Sequence, residues 1–298
     1  MNYEALWEVR HKNCIFEKKM GCNMKGIILA GGTGSRLFPI TRSVNKHLIP
    51  VYDKPMIYYP LTTLLSASIS QICIICNIED HNAYKSLLGT GEEFGADIRY
   101  IVQTSPEGIP QAFSLAADFI GDENVTMILG DNIFVDNGDI RRSVSRFRGG
   151  ASIFGIQVTN PSDYGVVEVD ENLSPIGLSE KPKLPKSNFA IPGCYIFDSR
   201  CIFRSQTLKK SKRGEFEITD LLKLYLEEKN LNLSILSRGT GWIDAGTTIN
   251  LGIVSRYIES MQQMHGIMVG SPHEAAFVRG FINEKQLHQS AKQIKSSN

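Results

Sequence analysis

The sequence predicts an α/β fold with a mostly parallel central sheet covered by helices on both faces. Three observations carry this. From residue 24 to about 160, short apolar runs alternate with stretches of helical pattern. The apolar runs are continuous rather than alternating, as in strands buried on both faces. Glycine-bearing or polar turns follow several of these runs at the end where such sheets bind ligands.

Taken in order, the strand candidates are Gly26–Ala30, Gln71–Asn77, Ile98–Gln103, Val125–Leu129 and Ala151–Val158. The intervening helix candidates are Tyr58–Ser68, His81–Leu88, Gln111–Ile120 and Ile140–Phe147. Pro110 falls at the start of the third helix, where a proline is tolerated. Beyond about 160 the pattern changes. Tyr164–Val169, Pro175–Ser179, Gly193–Phe197 and Leu231–Leu236 read as shorter strands, and Glu217–Glu228 and Thr247–Gln262 as helices. Helical pieces follow at His273–Gly280 and Glu284–Ile294. No Pro/Ser/Gly linker divides the chain, so residues 24–298 are expected to form one domain. Its first half, to about 160, would hold the ligand-binding sheet ends, and the second, from about 161, would pack on it as a lid.

Composition bounds the function. Of 298 residues, 42% are hydrophobic and 21% charged, as in ordinary soluble domains. A net charge of +1 provides no electrostatic case for nucleic-acid or membrane partners. No apolar run approaches the roughly 18 residues of a spanning helix. Residues 1–23 are charged throughout and lack a long apolar stretch, so they do not read as a secretory signal. They are expected to be a disordered leader or an upstream translation start. Cys73 and Cys76 have C-x-x-C spacing but lie in a strand-like run, QICIICNI, where they would point to opposite faces. Buried reduced thiols of a cytoplasmic protein are expected there, not a redox or zinc pair.

The chemistry concentrates in Lys25–Pro50, KGIILAGGTGSRLFPITRSVNKHLIP. Gly31, Gly32 and Gly34 let the backbone turn with φ > 0 and let its amides converge on an anion. Arg36 and Lys46 add cations, and the whole suits a triphosphate. A plain turn with two surface cations fits the glycines equally. The spacing is neither a Walker A loop nor a dinucleotide fingerprint.

Asp131, in Leu129-Gly130-Asp131-Asn132, ends a predicted strand, and Asp244 lies in Gly241-Trp242-Ile243-Asp244-Ala245-Gly246-Thr247. Each could cap a local turn or helix. Together, beside a triphosphate cradle, they suggest Mg²⁺, which takes a couple of carboxylates plus phosphate oxygens. Gln103 carries a donor and an acceptor that suit thymine or uracil, or else faces solvent from a loop. Glu180 and Lys181 could meet a sugar phosphate, or form a solvated surface pair.

The run LAGGTGSRLFPITRSVNKHLIP with VYDKPMIYYPL resembles the signature of sugar-1-phosphate nucleotidyltransferases, and YDKPMIYYPL looks like the glucose-1-phosphate thymidylyltransferases among them. The resemblance extends from Met24 to near Asn298. It implies a Rossmann-like sheet with an intimately packed sugar-binding lid. It also implies Arg36 and Lys46 as catalytic cations and Asp131 and Asp244 as catalytic metal ligands. Leu29, Gly31, Gly32, Thr33, Gly34, Gln103, Gly108 and Asp131 would bind the nucleotide. Lys46, Tyr164, Gly165, Glu180, Lys181, Ile191 and Arg213 would bind the sugar phosphate. Where the family commonly has K-Q-L-L-P, this chain has Lys46-His47-Leu48-Ile49-Pro50; the histidine could replace a substrate-contacting Gln imperfectly, and could also add pH dependence near neutrality.

The implied reaction is attack of glucose 1-phosphate on the α-phosphorus of dTTP, yielding dTDP-glucose for rhamnose or other deoxysugar synthesis, and pyrophosphate. The nucleophile is already anionic, so no general base is required. Positioning and charge neutralisation by Arg36, Lys46 and Mg²⁺ would suffice. A homotetramer is implied too. The alternatives are a UTP-using uridylyltransferase and a catalytically silent sugar-nucleotide-binding regulatory subunit.

Overall fold

In the computed structural model, residues 24–135 and 138–295 are described, with side chains to Ala291 and Lys292 at the C-terminal end. The expectation for residues 1–23 lies outside them.

The strands of the fold are β1 Met24–Ala30, β2 Pro50–Val51, β3 Lys54–Pro55, β4 Gln71–Cys76, β5 Asp97–Val102, β6 Asn124–Leu129, β7 Asn132–Val135, β8 Ala151–Gln157, β9 Gly165–Val169, β10 Pro175–Glu180, β11 Phe189–Ala190, β12 Cys194–Phe197, β13 Leu231–Ile235 and β14 Gly241–Asp244. The helices used below are α1 Tyr58–Ser66, α2 His81–Leu88, α3 Gln111–Leu115, α4 Ala117–Ile120, α5 Asp139–Arg146, α6 Cys201–Thr207, α7 Ile218–Glu227, α8 Thr248–His265, α9 Pro272–Val278 and α10 Glu284–Lys295.

The main sheet runs β10-β9-β11-β8-β12-β6-β1-β4-β5, with β13 also paired to β8. The β5-β4-β1-β6 section is parallel, with Ile28 opposite both Ile74 and Ile128. Its isoleucines and valines suit a pleat covered on both faces. One face buries Ile28, Ile74 and Cys76 under Leu61, Leu64 and Tyr84 of α1 and α2. The other buries Ile27, Cys73 and Ile75 under Phe113, Ile120, Leu221 and Tyr225. Cys73 and Cys76 therefore do face opposite sides. Burial pushes their thiols up to about 12 and about 11, so both stay protonated and unreactive.

Beyond β6 the sheet is mixed. The expected next parallel strand, β8, is separated from β6 by β12, which runs antiparallel to both. Thus a strand from residues 194–197 completes a sheet begun at residue 24. The long helix expected over Gln111–Ile120 is broken at Ala116, whose ψ of 16° interrupts the α-helical path. The strands β7 and β14 form a separate antiparallel pair, with Asp244 opposite Asn132. They pack through Ile133 on Val51, Met56, Val254 and Ile258, which ties them to α8. No helix among the described residues is long and apolar enough to cross a membrane.

Candidate active site

The carboxyl end of β1 opens into the glycine loop. Gly34 adopts φ +64°, a conformation that glycine takes without strain. A side chain at Gly34 would press on Thr41 and on Lys46 Cβ at 2.8 and 3.2 Å, and one at Gly32 would meet Lys46 Nζ at 3.5 Å. The lysine stem therefore runs along the glycine loop. Its ammonium ends 2.6 Å from Asp131 Oδ2. Thr33 and Arg36 are exposed, while Leu29 is partly buried at the end of β1 and accepts Gly130 N–H at 2.9 Å.

Asp131 and Asp244 come together through the β7–β14 pair. Asp131 precedes β7, and its carbonyl accepts Ala245 N–H at 2.8 Å. Asp244 ends β14, and its Oδ1 accepts Gly246 N–H at 2.9 Å. A side chain at Gly246 would strike both Asp244 Oδ1 and an Arg36 guanidinium nitrogen, so Arg36 lies beside Asp244. Burial alone would raise the Asp131 pKa, but Lys46, His47 and Asn132 outweigh it and hold the carboxylate below its usual range. Asp244 goes the other way. Burial and then the negative charge of Asp131 raise it.

That mutual repulsion is what a bound cation would relieve. Among the described residues no three metal-ligating His, Cys, Asp or Glu side chains converge, which excludes a closed zinc-type set there. Two carboxylates beside a glycine loop suit a hard cation that completes its shell with phosphate and water oxygens.

His47 corrects one of its two readings, pH dependence near neutrality. The residue is 1% exposed, its Nδ1 lies 2.9 Å from Asn45 Oδ1 and 3.2 Å from the Tyr84 hydroxyl, and its ring packs under Gly130. Burial and the neighbouring Lys46 charge lower its pKa to about 3. It is neutral through the physiological range and braces the turn that carries Lys46.

Gln103 follows β5 and is 4% exposed. A side chain at Gly31 would overlap Gln103 Oε1, so the amide lies directly over the glycine loop. Gly108 adopts φ +118° and is bridged to Phe216, whose N–H donates to the Glu107 carbonyl at 2.7 Å. This joins the loop after β5 to the segment that holds Arg213.

The sugar-end candidates cluster across β9, β10 and β11. Lys181 N–H donates to Tyr164 O at 3.1 Å, and Ile191 N–H to Gly165 O at 2.8 Å. A side chain at Gly165 would lie 3.5 Å from Glu180 Oε2 and 3.8 Å from Ile191 Cδ1. The Tyr164 ring meets Trp242 edge-on at 5.0 Å, which connects this group to β14 and Asp244. Burial, and then the Glu217 charge, raise the Glu180 pKa. Arg213 is gripped by Glu217 at 3.0 and 2.6 Å and lies 3.8 Å from Glu180.

Sequence reasoning missed the supporting residues. Asn132 Oδ1 accepts both Trp242 Nε1–H at 2.7 Å and Gly193 N–H at 2.8 Å, pinning β14 and the start of β12 to β7. Glu217 orients Arg213, and Gln111 Oε1 accepts Gln103 Nε2–H at 2.6 Å. An Asn directly after Asp131 and an acid four residues after Arg213 were the available signals.

Comparison with known proteins gives a consistent answer. The family described as nucleotidyl transferase matches residues 25–260. A glucose-1-phosphate thymidylyltransferase of Mycolicibacterium smegmatis is 46% identical over 92% of this chain and 96% of its own. One from Neisseria meningitidis is 44% identical over 90% and 94%. A solved Bacillus anthracis structure, assigned as a glucose-1-phosphate thymidylyltransferase and complexed with a sucrose, superposes with TM-score 0.74 at 39% identity, covering 89% of this chain and 99% of that one. With its glycine loop, its paired aspartates and this likeness along nearly its whole length, the chain belongs to the nucleotidyl transferase family, among the glucose-1-phosphate thymidylyltransferases.

Proposed function

We propose that this chain joins dTTP and glucose 1-phosphate to give dTDP-glucose and pyrophosphate, using the cleft at the carboxyl ends of β1, β5 and β6. The observation that carries the reading is the Lys46 ammonium held 2.6 Å from Asp131 beside Gly32, with Asp244 and Arg36 adjoining. A lysine so placed can neutralise the sugar phosphate as it approaches the α-phosphate. Arg36, exposed beside Asp244, is free to swing onto the leaving pyrophosphate. Gln103 would read the base, with Gly108 shaping its loop. Glu180 would accept hydrogen bonds from sugar hydroxyls, with Lys181 and Arg213 at the sugar phosphate. The work of these residues is positioning and charge neutralisation.

Asp131 and Asp244 would hold Mg²⁺. When bound, the ion would neutralise charge developing on the phosphates. Assembly as a homotetramer belongs to the same proposal. Ile249, Ile253 and Met264 on α8 are 75%, 45% and 75% exposed and supply apolar surface that such packing would cover. A cytoplasmic setting and a role in deoxysugar synthesis accord with this chemistry.

The test is pyrophosphate release with dTTP, with UTP and with glucose 1-phosphate omitted. Release requiring both substrates and fastest with dTTP is expected. Preference for UTP would favour the uridylyltransferase reading, and no release with either would favour a regulatory subunit.

A further inference from the structure

We propose that Gln111 is a positioning residue that fixes which pyrimidine edge Gln103 can read. The inference rests on the base-reading role proposed for Gln103.

Gln111 opens α3. Its Oε1 accepts two hydrogen bonds, from Glu107 N–H at 3.0 Å and from Gln103 Nε2–H at 2.6 Å. The first comes from the main chain, which can only donate there. It fixes the Gln111 oxygen in place and prevents the Gln111 amide from turning over. The Gln103 amide must then present nitrogen to that oxygen. Turned over, it would set Oε1 against Oε1. At 4% exposure Gln103 has little access to water that would relieve such a contact.

A side-chain amide has two N–H donors and one carbonyl acceptor. Gln111 takes one N–H. The oxygen lies over Gly31, where an added side chain would overlap it. One acceptor and one donor therefore remain for a ligand. Thymine and uracil offer N3–H and a carbonyl at C4, and this pair complements them. Cytosine offers a bare N3 and an amino group at C4, which the reversed amide would be needed to meet. Gln111 thereby forbids the orientation that cytosine requires. Rejection comes from a buried donor or acceptor left unpaired, which discriminates far more strongly than a change of shape.

The experiment measures kcat/KM for dTTP and for dCTP with the full chain, by pyrophosphate release, and takes their ratio. Gln111→Leu removes the acceptor and should lower the ratio at least about fivefold, the size of one net hydrogen bond. For dTTP the effect should fall on KM more than on kcat. Gln111→Glu keeps an acceptor for both N–H groups and should hold the ratio within about threefold of the parent. Gln111→Lys places a donor there and should lower the ratio at least as far as leucine does, which provides a second reading should the leucine variant not fold. Parent-like ratios in the leucine or lysine variant, beside a collapsed ratio in Gln103→Leu, would overturn the role of Gln111 alone. A parent-like ratio in Gln103→Leu would overturn the base-reading role and this inference with it.

Discussion

Asp244 stands opposite Asn132 across the β7–β14 pair, and so arrives one residue from Asp131 although 113 positions separate the two aspartates in the chain (244 − 131). The pairing has an electrostatic consequence. Lys46 compensates Asp131 at 2.6 Å, and the second carboxylate is left to bear the repulsion of the first.

If the two carboxylates hold one Mg²⁺, as proposed above, removing either weakens the same ion. Asp131→Asn and Asp244→Asn are each expected to slow turnover about 10²–10³-fold, the usual scale for one preorganised electrostatic contact. The double variant should fall well short of the product, because both remove one unit. Excess Mg²⁺ should partly restore each single variant. Circular-dichroism melts beside a Mg²⁺ titration of pyrophosphate release check this. Normal turnover with a lowered melt would reduce the two aspartates to local caps.

Base choice provides a second expectation. In the base-reading role proposed for it, Gln103 would meet the same edge on thymine and uracil, and the bases differ by one methyl group. In a fitted pocket that is worth about 1–3 kcal/mol, or about 10–200-fold. UTP should be used measurably but less well than dTTP, and GTP far worse. Steady-state kinetics with the three nucleotides decide, and equal use of dTTP and GTP would sink the assignment of Gln103.

The parallel section β5-β4-β1-β6 was legible because each strand is a continuous apolar run, and the glycine loop because Gly31, Gly32 and Gly34 follow β1 at once. The strands β7 and β14 were not. Each is four residues long, too short to show a period, and the partner of each is more than a hundred residues away. The place of β12 between β6 and β8 is likewise a long-range pairing that no local pattern announces. For His47 the residue type suggests a titratable group, whereas its burial beneath Gly130 and beside Lys46 decides its state. Gln111 and Glu217 escaped because they act on Gln103 and Arg213, not on the expected ligands.

Asp139 should leave a mark on acid stability. Burial alone would raise its pKa. Hydrogen bonds from Ser237 Oγ at 2.5 Å, Ser237 N–H at 2.8 Å and Thr240 Oγ1 at 2.8 Å, with Arg142, outweigh burial and bring it to about 2. A depressed carboxylate stabilises the fold above its unfolded pKa of about 3.9 and loses that contribution as pH falls toward the folded value. Asp139→Asn should therefore melt below the parent by a margin that is full above pH 5 and shrinks steadily below about 4. Thermal melts from pH 3 to 7 test this, and a margin constant across the range would show that the carboxylate charge is not responsible.

Two glycines separate backbone strain from a collision. Gly108 has φ +118° and Gly121 φ +58°, both awkward for alanine. An added side-chain carbon at Gly121 meets nothing within 4 Å, while one at Gly108 overlaps Phe216 O and lies 2.7 Å from Phe216 N, both main-chain atoms. Gly121→Ala should cost only conformational strain, about 1–3 kcal/mol, and leave kcat/KM unchanged. Gly108→Ala carries comparable strain and must also push the loop after β5 away from the Arg213 segment. It should melt lower than Gly121→Ala, and its KM for dTTP should rise more than its KM for glucose 1-phosphate. The second outcome separates a displaced base loop from a general loss of fold. If both variants lose the same stability and neither changes the KM for dTTP, the Gly108–Phe216 contact has no part in shaping the nucleotide site.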